Sequence, residues 1–322
     1  MLSYTKTEAK AYAQKYLTGV WAAVPTPFAA DLTMDEAGFA KNFVHWFDTL
    51  LVDGIFVGGK QGEFFALSVT ERKRLFELAV RGLKDIRRRG NVILSCSDQN
   101  LDTVLELARH AELLGAEYIV VHAPTLHFGH DIDSTVYEYY RHISAQSNIA
   151  IAMWSHPDAG YLMSPELCAR IAEDCPNVVA IKYSVPRETY AQLSRRTAGQ
   201  LIVSSASEVE WLDNIIELGW KLYLCSIPPI LLQTANDRRI REYSDLAFGG
   251  DFTAARRVRD SLEPARLALR DSRPPGTPHA QQKYWQALLG QVGGPVRRPL
   301  LNLTESQRTR IAEAFASSGI SR

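Results

Sequence analysis

Lys182 stands at the end of an otherwise apolar run, Val178-Val179-Ala180-Ile181, and is followed by Tyr183. An ammonium among apolar neighbours is costly to keep charged, and its desolvation frees an amine able to attack a carbonyl. The alternative is a lysine that reaches out of the fold or pairs with an acid. The residue pattern alone leaves both readings open. A second concentration of chemistry is the histidines His122, His127, His130 and His156, whose imidazoles suit proton transfer near neutrality. His127 and His130 have HxxH spacing, but in a glycine-containing segment without cysteine or an acidic ligand set, so no metal is expected. A histidine in such a loop is more commonly structural. Serines cluster in Ser204-Ser205-Ala206-Ser207-Glu208 and at Cys225-Ser226. They fit the rim of a pocket, and helix capping explains them equally well.

These residues need elements to hold them. Eight short apolar runs recur: 19–25, 54–58, 91–96, 118–122, 149–154, 178–183, 201–205 and 222–226. They lack alternation, as strands buried on both faces of a parallel sheet do. Amphipathic segments lie between them. Ser68-Val69-Thr70-Glu71 reads as a capping box, Ser164-Pro165 as an N-cap with proline at the first helical position, and Asn100 or Asp102 as the cap of a helix ended by Gly115. Eight strand–helix units predict an α/β fold, a (β/α)8 TIM barrel over residues 1–230 with a short N-terminal helix; an open sheet is the other possibility. In such a barrel the chemistry sits at the C-terminal ends of the strands, where Lys182 falls. After residue 230 the alternation stops, and 231–247, 251–270, 280–291 and 304–317 read as helices of a C-terminal extension (231–322) packed on the barrel, with a break at Ser272-Arg273-Pro274-Pro275-Gly276.

Composition excludes several classes. With 36 basic and 36 acidic residues among 322, no general basic field for nucleic acid exists. The local run Lys84–Arg89 reads as a solvated helix end. No stretch approaches a membrane span, and the N-terminus has no apolar signal core. Cys96, Cys168, Cys175 and Cys225 form no CxxC pair, which suggests a reducing, cytoplasmic setting.

Four segments taken together carry a resemblance. They are GVWAAVPTPF at the first strand, GGKQGEFFALSVTER after the second, VVAIKYS at the sixth and GGPVRRPLLNLTE near the end. In this order and spacing, over roughly 19–315, the chain resembles the dihydrodipicolinate synthase and N-acetylneuraminate lyase superfamily of class I pyruvate-type aldolases. The resemblance implies a homo-oligomeric barrel (dimer or tetramer), no cofactor, and a Schiff base between Lys182 and a 2-oxo acid.

The site departs from the family pattern. The family loop with two hydroxyl residues is here Gly59-Lys60-Gln61-Gly62-Glu63. Its backbone N–H groups and the Gln61 amide could hold a substrate carboxylate. Lys60 could pair with that carboxylate or repel the charge on Lys182; it is equally readable as an exposed loop lysine. At the end of strand five, aligned on Pro157, Trp154 takes the place of the family tyrosine and Ala159 that of an arginine. An indole donates a hydrogen bond but relays no proton. No tyrosine stands near Pro124-Thr125-Leu126-His127 either. His156 is the candidate replacement for the relay.

The expected function is thus a Schiff-base lyase of aldolase, hydratase-aldolase or dehydratase type. Lys182 and His156 are its catalytic residues, and Gly59, Lys60, Gln61, Trp154 and Ser226 bind substrate. The substrate is expected to be a 2-oxo acid such as pyruvate or a pyruvate adduct, and the protein is not expected to be the lysine-biosynthetic synthase itself. The alternative is a paralogue that has lost this chemistry and binds or regulates; retention of Lys182 and Glu63 counts against it.

Overall fold

The computed structural model describes residues 2–126 and 129–321. Each of the eight expected runs forms a strand: β1 Gly19–Ala23, β2 Gly54–Val57, β3 Asn91–Ser95, β4 Tyr118–His122, β5 Ala150–Ser155, β6 Val178–Tyr183, β7 Ile202–Ser204 and β8 Leu222–Ser226. They share one sheet in the order β7-β6-β5-β4-β3-β2-β1-β8. This is the (β/α)8 barrel class with added C-terminal helices. Strands β2, β5 and β6 are buried at every residue, which is why their sequences show no polar alternation.

The helices through the strand series are α1 Ala9–Tyr16, α2 Glu36–Val44, α3 Val69–Gly82, α4 Leu101–Leu114, α5 Ile132–Gln146, α6 Pro165–Asp174, α7 Arg187–Arg196 and α8 Glu208–Leu218. Their starts follow the expected chemistry. Ser68 and Glu71 cap α3 reciprocally. Ser164 accepts from the Leu167 N–H with Pro165 behind it. Asn100 caps α4, which ends at Gly115 in the left-handed conformation that costs glycine least. The run Lys84–Arg89 differs from expectation. It lies beyond the end of α3, and Arg88 pairs with Asp53 at 2.9 Å, so it is a loop tied to the fold rather than a helix end.

The later helices are α9 Pro228–Leu231, α10 Arg239–Phe248, α11 Phe252–Ser261, α12 Glu263–Asp271, α13 His279–Leu288 and α14 Glu305–Ala316. Two expected helices are therefore divided. The segment 231–247 holds an irregular stretch before α10. The segment 251–270 breaks at Leu262, where Pro264 enters the first turn of α12 and has no N–H to continue the preceding ladder. No helix among the described residues is long and apolar enough to cross a membrane.

The chain divides into two compact units, Met1–Trp21 with Asn91–Cys225 and Ala22–Gly90 with Ser226–Arg322. In the first, β4, β5, β6 and β7 pair in parallel register. At the β7 end a side chain does the work of a ladder: Ser204 Oγ donates to the Leu222 carbonyl at 3.0 Å and accepts from the Leu224 N–H at 2.7 Å.

The second unit is organised around a buried ion pair, Lys283 Nζ to Glu63 Oε1 at 2.5 Å, with both side chains at most 1% exposed. Glu63 adopts a left-handed backbone (φ 57°), and its other oxygen accepts the Arg297 N–H at 2.9 Å. Lys283 also donates to the Pro295 carbonyl at 2.8 Å. Both Lys283 and the Arg297 guanidinium lie 4.2 Å from the centre of the Phe28 ring. Arg297 donates further to Leu32 and Ala66 carbonyls and to Glu71. A Cβ on Gly294 (φ +75°) would lie 2.2 Å from the Phe28 carbonyl oxygen, so only glycine fits. Three of the four segments that carry the family resemblance thus meet in one structural network.

Candidate active site

The first unit places Lys182 where a barrel keeps its chemistry. Register pairs His122 with Trp154 across β4–β5, Trp154 with Lys182 across β5–β6, and Lys182 with Ser204 across β6–β7. The four form one row near the C-terminal ends of their strands. Two residues earlier on the same strands stand Val120, Ala152, Ala180 and Ile202, also in register, hence on the same face. On that face the alanines carry only a methyl group behind Trp154 and Lys182.

The intervening residues face the other way and are pinned there. Tyr183 donates to the Met163 carbonyl at 2.5 Å, and Ser155 Oγ accepts the Met163 N–H at 3.1 Å. With 155 and 183 tied to the segment leading into α6, Trp154 and Lys182 must present the opposite face. Tyr183 therefore stands outside the row, although in sequence it adjoins the lysine.

Lys182 is 3% exposed, as is Trp154, and its Nζ lies 5.1 Å from the indole centre. Indole is an adaptable neighbour for this group, attracting the ammonium through its ring face and walling the free amine with apolar surface. Two imidazoles lie against the same indole. His122 packs edge-on at 4.6 Å between ring centres, and His156 stands at 6.1 Å. His156 Nδ1 is 3.3 Å from an Asp158 carboxylate oxygen and accepts the Asp158 N–H at 3.2 Å. It thereby caps the short turn Pro157–Ala159, and 26% of its side chain is exposed.

Burial, followed by the charges of His156 and Lys182, lowers the imidazole of His122 to about 4 against the pull of the Ala123 backbone and Asp158. The folded pKa lies below the ordinary value, so the unfolded chain binds the extra proton. This group's contribution to stability is full above about pH 6.5 and declines as pH falls toward 4. Lowering the pH from 7.5 to 5 should cost about 2 kcal/mol through His122. That increment should be missing from His122→Asn when urea midpoints at the two pH values are compared.

Of the residues expected from sequence, Lys182, Trp154 and His156 are brought together. Ala159 is buried. Gly59, Lys60 and Gln61 belong to the second unit, in the turn after β2. There the Lys60 carbonyl accepts the Glu63 N–H at 3.0 Å and contacts His279 Nε2 at 2.8 Å, and a Cβ on Gly59 would meet the Phe56 ring at 2.7 Å. Ser226 closes β8 and opens the second unit's C-terminal part. His127 lies outside the described residues, and His130 is exposed. The Ser204 hydroxyl is spent on strand pairing rather than left for a substrate. Glu63, read from sequence as a sign of retained chemistry, is explained by the Lys283 ion pair. Sequence reading missed Lys283 altogether; its only signal is a lysine in the α13 helical pattern.

Sequence and structure comparisons place the chain among known proteins. The chain is 27% identical over 305 residues to 4-hydroxy-tetrahydrodipicolinate synthase of Bartonella tribocorum, covering 94% of this chain and 99% of that one. It is 28% identical over 317 residues to a protein of Saccharopolyspora erythraea described as "Probable 5-dehydro-4-deoxyglucarate dehydratase", covering 95% of each. Among solved structures, a prophage protein of E. coli K12 in complex with pyruvate, described as belonging to the dihydrodipicolinic acid synthase family, superposes with a TM-score of 0.82 at 20% identity over 94% of this chain and 99% of that one. The model of the Dihydrodipicolinate synthetase family matches residues 16–317, so that all eight strands fall inside the match, and the chain belongs to that family.

Proposed function

We propose that the protein is a lyase that forms an imine between Lys182 and a 2-oxo acid and then breaks or makes a bond beside it. The observation that carries this reading is the amine itself, nearly fully buried at the end of β6 and held against the Trp154 indole. The amine adds to the 2-oxo carbon and water leaves. The protonated imine then accepts the electron pair of the bond broken next to it. His156, with Asp158 beside it, is the proposed proton carrier, since Trp154 has no exchangeable acid or base to offer. Trp154 would stack on an apolar or aromatic part of the substrate.

With Trp154 and Ala159 where relatives of the resemblance place tyrosine and arginine, the substrate is proposed to differ from that of the lysine-biosynthetic synthase. One relative's description as a dehydratase supports carbon–oxygen cleavage as readily as carbon–carbon. For Gly59, Lys60, Gln61 and Ser226 the proposal rests on their places after the second and eighth strands, rim positions at which barrel enzymes hold substrate.

Borohydride trapping tests the reading. Incubation with pyruvate and with a panel of 2-oxo acids should give a reduced adduct on the peptide containing Lys182, and Lys182→Ala should give none. No adduct with any member of the panel would sink the imine. His156→Ala should slow turnover more than it slows trapping; an equal loss, or no loss, removes His156 from the mechanism.

A further inference from the structure

The row that holds Lys182 contains a second imidazole with better-defined surroundings than His156. His122 lies two strands from Lys182 at the same level, with Trp154 between them. Strand spacing puts their Cα atoms on the order of 10 Å apart, and both side chains lie against the indole. The His122 backbone N–H is held by Ser97 Oγ at 2.9 Å, and that oxygen also accepts from Ser95 Oγ at 3.2 Å. The ring has a backbone hydrogen bond with Ala123. One ring nitrogen is thus a donor to a carbonyl, and the other keeps its lone pair.

A substrate tethered to Lys182 and extending along the indole would carry the carbon two bonds beyond its imine carbon toward His122. A neutral imidazole at that end can accept a proton, and the chemistry that calls for one is the loss of a hydroxyl proton as a carbon–carbon bond breaks.

We propose that His122 is a catalytic residue of the Lys182 site, the base that takes the proton from a hydroxyl on the carbon two bonds beyond the imine carbon. This rests on the imine reading above. The O–H electron pair becomes the second bond of an aldehyde carbonyl. The pair of the broken C–C bond forms the enamine double bond, and the C=N π pair moves onto the lysine nitrogen. The aldehyde departs. The enamine takes one proton at carbon, and one water releases pyruvate and the free amine. No oxidant, reductant or cofactor enters the balance. The substrates are 4-hydroxy-2-oxo acids, and Trp154 sets the distance between the two working groups. Burial above all keeps the imidazole uncharged at neutral pH, the form a base requires.

The test separates the two ends of the substrate. Three readouts are taken with the full chain: borohydride trapping of pyruvate, deuterium exchange into the pyruvate methyl group in D2O, and cleavage of 4-hydroxy-2-oxo acids carrying methyl, carboxyl or phenyl at the fourth carbon. In His122→Asn, trapping and exchange should stay within about twofold of wild type while cleavage falls about 100-fold or more. His122→Gln should give the same split. Retained trapping and exchange also report that the Lys182 site is folded in each variant. Wild-type cleavage rates in both variants overturn the proposal, as does a parallel loss of all three readouts. A wild-type protein that traps pyruvate but cleaves none of the panel overturns it too. Absence of trapping in the wild type overturns the imine reading itself, and the role of His122 with it.

Discussion

Lys182→Met is expected to lower kcat/KM by about a thousandfold or more. The amine is 3% exposed in a strand whose every residue is buried, and methionine, of similar length and wholly apolar, fits such surroundings without supplying a nucleophile. The substitution removes the only group in the row able to form an imine. Steady-state kinetics on the substrate found by trapping would check the effect. Wild-type kcat/KM in the variant would show that Lys182 is not the imine-forming group.

Lys283→Met should act on the fold, destabilising the protein by about 3–5 kcal/mol. Lys283 is buried, as Lys182 is, and its ammonium faces the Glu63 carboxylate at 2.5 Å. Burial draws the ammonium down to about 8, and the carboxylate holds it up against that pull. Removing the lysine strands a carboxylate that is 0% exposed, with the Arg297 N–H as a neutral remaining donor. Such a charge costs more than the pair ever contributes. The double variant Glu63→Gln/Lys283→Met should therefore recover most of the loss, which a double-mutant cycle on urea midpoints would measure. Additive losses would mean that the two side chains act independently and that the network around Phe28 is not organised by their charge.

The contrast between these lysines shows what could be read in the chain. Lys182 is legible because its strand is an uninterrupted apolar run and a barrel strand's end is a functional place. Lys283 sits in an amphipathic helix, where a lysine is ordinary, and its partner lies 220 positions earlier in the sequence. Glu63 is legible as retained, but its pairing with Lys283 is not, because a carboxylate kept for chemistry and one kept for an ion pair look alike in sequence. Ser204 and Tyr183 are similar cases. Their neighbours suggest a site, but the register of β7 against β8 ties one hydroxyl to backbone groups, and the contacts with Met163 turn the other outward. The division of the segment 251–270 at Pro264 is legible in the sequence, since a proline thirteen positions into the expected helix removes an N–H from the ladder.

The sequence by itself determined the eight strands, most of the helix starts and the lysine at the end of the sixth strand. These depend on local periodicity, capping chemistry and burial, which neighbouring residues specify. Only the tertiary structure decided which polar groups share a face. It set His122, Trp154 and Lys182 in one row, committed Ser204 to the strand seam, and gave Glu63 to Lys283. The physical reason is strand registry and long-range packing: a shift of one residue in a parallel pair reverses which side chains meet, and no local pattern records that choice.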